Sequence, residues 1–377
     1  MLNVPDFPPD ARDMVRLLRE LVEIESPSDS PAGVAALAER VGRELSALGL
    51  TVEQLPVAGS GPILRARTPP GGGARPVMLL GHLDTVWPLG TLAARPVRIE
   101  GDVFRGPGSF DMKAGLVVVV FALRELARRG PLPPVTAFFT PLEEVGCGPY
   151  RELMEAEMRA AAAVLDFEPA WPGGAVKTER KGTGSFVLRT RGRAAHAGAD
   201  FSKGANAILG LARTALEASD LTDLERGITV NVGVIRGGIR PNVVPHRAEA
   251  EVDVRFKTLA DGRGIEAALR ALESRTPGVG LEVEGGLSYP PLERTPAVLR
   301  VYEIARDVAR ELGTDLAEVS TGGASEASFA SALGVPTLDG LGADGDGAHA
   351  EDEHVLIPSL PERAALGAGL IQRLART

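Results

Sequence analysis

Cysteine is almost missing from this chain: Cys147 is the only one, which excludes a disulfide framework within it. Glycines flank it and no histidine lies near it in sequence, so it reads as a small buried residue, not a nucleophile. Long apolar runs are missing too. The longest, AGLVVVVFAL, is ten residues, too short to span a bilayer. The start, MLNVPDFPPDARD, carries prolines and acids where a secretory signal has a basic end and an apolar stretch. A cytoplasmic protein is expected, with no membrane partner. No block of Lys and Arg stands out, and the net charge is −9, so nucleic acid is not an expected partner. Neither G-x-G-x-x-G nor G-x-x-x-x-G-K-[ST] occurs at a strand–helix junction, which argues against a nucleotide-binding protein. No internal repeat or low-complexity segment is visible.

What is present describes a soluble globular protein: 44% hydrophobic and 24% charged residues over a length of 377, enough for two domains with real cores. ARDMVRLLRELVEIES and AGVAALAERVGRELSALGL carry apolar residues at helical spacing, with Asp10 a cap for the first. PVMLLGH, PVTAFFT and AAAVLDF read as central strands of a sheet covered on both faces. The VVVV at 117–120 suggests strand by propensity. The unbroken segment from Met112 to Arg129, ending Arg-Arg-Gly, fits a buried helix better.

The texture changes near Gly182. GSFVLRTRGR, GANAILGLARTALEA, ITVNVGVI, AEAEVDVRF, GIEAALRALESRT and GVGLEVEGG follow one another as β-α-β-β-α-β, a ferredoxin-like order. After YPPLERTP the first texture returns, with a helix from Ala297 to Leu312 and a last one after Pro361. The expected architecture is an α/β domain, residues 1–181 and 292–377, with a ferredoxin-like α+β domain, 182–291, inserted in it.

Side chains able to do chemistry gather at strand ends of the larger domain. His82 and Asp84 close one strand, Asp111 sits in GPGSFDMKAG, Glu143 and Glu144 follow VTAFFTPL, Asp166 and Glu168 lie in VLDFEP, and His349 lies in GAHAEDEH. Taken singly, a His-x-Asp is often a satisfied hydrogen bond, an Asp before a helix is usually a cap, and paired glutamates usually face water. Recurrence of the anomaly at successive strand ends, where α/β sheets gather ligands, points instead to a metal site built from separate loops. Either Asp166 or Glu168 could supply its carboxylate.

GHLDTV, GPGSFDMKAG, PLEEVGCG, DFEP, RAAHAG and GAHAEDEH, in this order, resemble the motifs of the dinuclear-zinc exopeptidases and amidohydrolases. Within that family the HLDTVWPLGTL and GPGSFDMKAG blocks look most like the glutamate carboxypeptidase (carboxypeptidase G type) branch. The resemblance implies a zinc-exopeptidase-like catalytic domain, two Zn²⁺ per subunit (Co²⁺ or Mn²⁺ able to substitute), and a homodimer through the inserted domain. His82 would bind one zinc with Asp84 behind it, since a ligating imidazole needs its other N–H held. Asp111 would bridge, Glu144 and His349 would complete one zinc, and Glu168 the other. Glu143 would be the general base. The resemblance also implies a cis peptide after Asp111.

In the inserted domain, the family's counterpart of His196 reaches the partner subunit's active site and donates to the developing oxyanion. Arg255 and Asn242 match positions holding the substrate carboxylate and carbonyl. STGGASEASF looks like the family's glycine-rich loop, with Gly323 and Ser325 as donors. Many relatives have Asp where this chain has Glu326. His246 and His354 match no ligand. Lys177, Arg180 and Lys181 could attract an acidic side chain or be solvated surface. The activity implied is cleavage of an amide next to a free carboxylate in a small peptide. An aminoacylase or deacetylase acting on N-acyl amino acids is the alternative, and a metal-binding homologue without turnover a more distant one.

Overall fold

The computed structural model describes residues 11–69 and 73–376. Residues 1–10 of the start, with the Asp10 cap considered above, lie outside the described residues. The chain divides into two compact units, Met1–Thr178 with Arg294–Ser320 and Ser325–Thr377, and Glu179–Glu293 with Thr321–Ala324.

The larger unit is built on a mixed sheet. Its strands run in the order Thr51–Leu55, Ile63–Arg67, Val135–Thr140, Val77–His82, Ala163–Asp166 and Thr337–Leu338. The last four are parallel to one another, and the first two join antiparallel. Every residue of Val77–His82, Val135–Thr140 and Ala163–Asp166 is buried, which is why these strands read as unbroken apolar runs without alternation. Parallel strands send their carboxyl ends to one edge, so His82, Thr140 and Asp166 finish side by side.

Helix Ala114–Arg129 takes up the Val-rich segment. Its residues from Ala114 to Leu123 are all buried, so burial all around the helix, rather than β propensity, explains the valines. Helix Pro31–Ala47 starts on Ser30, whose side chain accepts from the Gly33 N–H, with Pro31 at the first helical position, where its missing N–H costs nothing. The last helix, Ser359–Leu374, begins ahead of Pro361 instead of after it, because a proline is tolerated in the first turn. Helix Arg151–Ala160, which buries Met154 and Met158, was not expected from the sequence. Nor was a small sheet of Gly345–Asp346, His354–Leu356, Val103–Arg105 and Arg98–Glu100, whose strands are too short to show a period. Among the described residues no helix is long and apolar enough to cross a membrane.

The second unit is β-α-β-β-α-β: Gly182–Arg191, Ala207–Ser219, Thr229–Gly237, Arg247–Phe256, Leu259–Arg270 and Gly280–Tyr289. Its antiparallel sheet has the order Thr229–Gly237, Arg247–Phe256, Gly182–Arg191, Gly280–Tyr289. Phe186, Leu188, Val252, Val254 and Phe256 point to one buried face, packed with Leu211 and Leu269 of the two helices. Arg189, Glu249 and Glu284 alternate onto the other face, as period two requires. The second helix starts at Leu259, before the expected Gly264, because Thr258 caps it by accepting from the Asp261 N–H. At the unit's two ends, Arg180 N–H donates to Leu292 O at 3.0 Å and Leu292 N–H to Arg180 O at 3.1 Å.

Candidate metal centre

Strand Val77–His82 ends on His82, so Asp84, expected to close the same strand, lies beyond it. The chain bends instead. His82 Nδ1 lies 2.9 Å from the Asp84 carbonyl oxygen and 3.5 Å from its carboxylate Oδ1. The carboxylate has other work: it accepts from the Glu143 N–H at 3.1 Å, the Glu144 N–H at 3.2 Å and the Ser28 hydroxyl at 2.7 Å. Asp84 therefore fixes the imidazole through its backbone and the glutamate turn through its side chain.

Asp111 reaches the same place from a tight loop. Its peptide bond to Met112 is cis, and Met112 lies under the strand end, where its sulfur accepts from the His82 N–H at 3.0 Å. Gly81 leaves the room for this, since a Cβ there would meet Met112 Cε at 2.5 Å. The two carboxylate oxygens of Asp111 then face different histidines. Oδ1 is 3.1 Å from His82 Nε2, and Oδ2 is 3.3 Å from His349 Nε2. A second carboxylate accompanies each imidazole, Glu168 at 3.4 Å from His82 and Glu144 at 3.1 Å from His349. Asp166 is not among the carboxylates gathered at either histidine in the described residues. His349 holds its place with φ at +61°, a left-handed conformation that histidine tolerates better than a branched residue does.

Charge is crowded here. Burial opposes a charged His82, but hydrogen bonds to Asp111, Asp84 and Glu168 outweigh it and hold the imidazole well above its ordinary value. Burial would raise Asp111, yet His349 and His82 pull it below the usual carboxylate range. Hydrogen bonds to Asp111 and Glu144 raise His349 to about 10. Glu144 is raised, chiefly by burial and then by Asp111. Burial first, and Glu168 next, push Glu143 well above the carboxylate range.

Could these residues hold metal ions? His82, Asp111 and Glu144 offer ligand atoms all within 4.8 Å of one another, as do His82, Glu143 and Glu168. Glu144 Oε1 is buried with no hydrogen-bond partner among the described residues, a costly state for a carboxylate oxygen unless a cation meets it. Nitrogen and carboxylate oxygen donors in this ratio suit zinc. The residues fit.

Two buried glutamates lie beside this cluster: Glu353 was not singled out in the sequence, and Glu326 was noted only where many relatives have Asp. Glu353, 2% exposed, accepts the Phe110 and Asp111 N–H groups on one oxygen, at 2.9 and 3.1 Å, and the Gly108 N–H and Trp87 indole on the other, at 2.8 and 2.6 Å. Burial pushes it up to about 7 against the pull of those donors. Glu351 and Asp352 beside it are exposed, and nothing in GAHAEDEH distinguishes which acid turns inward. Glu326 accepts the Thr140 hydroxyl at 2.8 Å and the Tyr150 hydroxyl at 2.6 Å, and burial raises it to about 7.

Several expected substrate contacts look different in the structure. The Ser325 side chain is fully buried and donates to Asp339 at 2.6 Å, so its hydroxyl is turned inward instead of being offered to a ligand. Arg180 and Lys177 are buried, not solvated surface, and Arg180 donates to the carbonyls of Gly323 and Ala324 at 3.2 and 3.1 Å. That is a clamp on the glycine-rich loop. Arg255 forms a two-pronged pair with Asp253 at 2.9 and 3.0 Å, two residues back on the same strand face. Gly323 and Asn242 are exposed. His196 is exposed too, and its Nδ1 accepts the Gly198 and Ala199 N–H groups at 3.1 and 3.0 Å, which leaves the proton of the neutral ring on Nε2. His354 Nδ1 faces the Asp352 carbonyl at 2.9 Å, away from the cluster.

Comparison with known proteins places this geometry. Carboxypeptidase G2 of Pseudomonas sp. (strain RS-16) is 30% identical over 373 residues, covering 96% of this chain and 89% of that protein. Succinyl-diaminopimelate desuccinylase of Corynebacterium glutamicum is 28% identical over 371 residues, covering 94% and 95%. The crystal structure of aminopeptidase PepT from Bacillus cereus superposes with a TM-score of 0.82 at 22% identity, over 97% of this chain and 99% of that one. The model of peptidase family M20/M25/M40 matches residues 78–373, the span from the His82 strand to the last helix. With the fold and the full-length similarity in agreement, the chain belongs to peptidase family M20/M25/M40 and is a metallo-exopeptidase or amidohydrolase.

Proposed function

We propose that this protein is a two-zinc hydrolase that cleaves an amide bond next to a free carboxylate, a glutamate-carboxypeptidase-like enzyme of the cytoplasm. The observation that carries the reading is Asp111, whose two oxygens face two histidines, each with its own glutamate. His82, Glu168 and Asp111 would hold one zinc, and His349, Glu144 and Asp111 the other, with Co²⁺ or Mn²⁺ able to replace it. When bound, the pair of ions polarises the scissile carbonyl and lowers the pKa of the attacking water.

The chain's own residues supply the remaining steps. Glu143 takes the proton from that water and hands it to the departing amine. Its turn is held by Asp84, which accepts the N–H groups of Glu143 and Glu144, so base and ligand stay in fixed register. Glu143 also argues against a binding protein without turnover, which has no use for such a base. His196, with its Nε2 proton directed outward, donates to the oxyanion as the substrate carbonyl becomes tetrahedral. Arg255 anchors the substrate carboxylate on the fork now facing Asp253, while Asn242 and the backbone of Gly323 hold its amide. By resemblance His196 serves the partner subunit, in a twofold dimer formed through the inserted unit. The outer side of edge strand Thr229–Gly237 is free for such pairing within its sheet.

The 28% identity to a desuccinylase supports a second reading, release of an acyl group from an N-acyl amino acid. A substrate panel on zinc-loaded protein separates the two. Peptides and folates ending in glutamate should turn over faster than N-acetyl amino acids. The reverse order would establish the second reading, and no hydrolysis of either would defeat both.

A further inference from the structure

We infer that Glu353 is a positioning residue for the metal centre, acting as a carboxylate staple that presets the Asp111 loop for two cations. The inference rests on the proposed role of Asp111 as the shared ligand. Its ground is the match between four donors and two oxygens. Gly108, Phe110 and Asp111 each donate a backbone N–H, and Trp87 its indole N–H. No acceptor is directed at Glu353 among these contacts. Only a carboxylate can receive such a set, because an amide presents hydrogens on one side.

The staple also joins three separate segments that carry the site. Trp87 follows the His82 strand, Gly108 to Asp111 form the bridging loop, and Glu353 itself closes the turn that begins at His349. Loop backbone between strands has no ladder to hold it. Here the N–H groups flanking Asp111 are held by one buried side chain instead. Groups behind a ligand set its orientation, and losing one costs roughly 10–100-fold in metal affinity.

The test uses the full-length protein stripped of metal, with Zn²⁺ affinity measured by chelator competition. Glu353→Gln should weaken zinc binding about 10–100-fold, and the amides of 108–111 should exchange with deuterium faster in the metal-free protein. The melting temperature of the metal-free variant should stay close to the parent's, which a general loss of structure would not allow. Trp87→Phe removes one donor without opposing two others, so it should fold and weaken zinc binding by a smaller factor. It serves as the reading should Glu353→Gln fail to fold. Zinc affinity unchanged in the variant that folds would overturn the inference while leaving the proposed function intact. A parent protein that binds no zinc would instead overturn that function.

Discussion

Acidic side chains crowd two regions of this molecule under opposite rules. On the open face of the inserted sheet, Glu249, Glu251 and Glu284 each pair with an arginine. Glu249 lies between Arg189 and Arg236 in register and pairs with both, at 3.4 and 3.6 Å. Glu251 takes Arg236 at 2.7 Å, and Glu284 takes Arg189. These pairs are solvated and closed among themselves. In the metal centre Asp84 is buried and Asp111 and Glu144 are partly buried, and these three form ion pairs only with His82 and His349 among the described residues. Exposed acids matched by fixed cations make a surface. Acids drawn in from solvent and matched only by imidazoles, which must shed protons to bind metal, make a site that recruits its positive charge from outside.

The sharpest way to break this contrast is to remove the shared acid. Asp111→Ala should abolish hydrolysis and lower bound zinc from about two ions per chain to fewer than one, as read by elemental analysis. Two tightly held ions in that variant would contradict the bridging geometry. Next in size is Glu143→Gln, which should keep its zinc and fold but lose roughly 10²–10⁴-fold in turnover. A loss below about tenfold would remove Glu143 from the role of base.

A mixing experiment asks whether the two regions cooperate across subunits. Inactive His196→Ala and inactive Glu143→Gln proteins, exchanged at random, should recover about a quarter of the parental rate. Half the dimers would then be mixed, each with one complete site. Demonstrated exchange without recovery would mean that His196 does not serve a partner.

Smaller effects separate buried from exposed acids directly. The Glu326 carboxyl stands near 7 in the fold against about 4.5 outside it. A raised acid makes the fold lose stability as pH rises through that window and stay lower above it. Glu326→Gln should therefore raise the melting temperature of the metal-free protein by a few degrees at pH 8 and leave it unchanged at pH 4. An equal gain at both values would show that charge is not the cause. Glu249→Gln, on the solvated face, should shift melting by no more than about 1–2 °C at either pH. A larger fall would mean that the surface pairs bear more of the stability than such pairs usually do.

How far the sequence could be read follows from the same contrast. His82 was legible because an imidazole at the end of VMLLGH has no reason to be there except a partner. The helix over the valines was legible because nothing between Ala114 and Arg129 interrupts it. The clustering of Asp111, Glu144, Glu168 and His349 was legible from their recurrence at strand ends, but which of them share a metal depended on likeness to a family, since loop residues far apart carry no period. Glu353 was not legible. Three acids follow one another in GAHAEDEH, and the small sheet that turns one of them inward has strands of two or three residues. Ser325 and Arg180 misled for a related reason: residue type suggests a donor, but only packing shows that Asp339 and the loop carbonyls already receive it.

The paired hydrogen bonds between Arg180 and Leu292 have a consequence for how such a chain can change. They bring the two ends of the inserted stretch together, so its interior length is nearly decoupled from the fold it departs from. Doubling a flexible loop already costs only about 0.6 kcal/mol in closure entropy, and a loop whose neck is tied costs the rest of the molecule less still. The neck works like a plug and socket. A different module could be carried on the same two residues, or a short turn could replace it, without reopening the sheet on which His82 ends its strand.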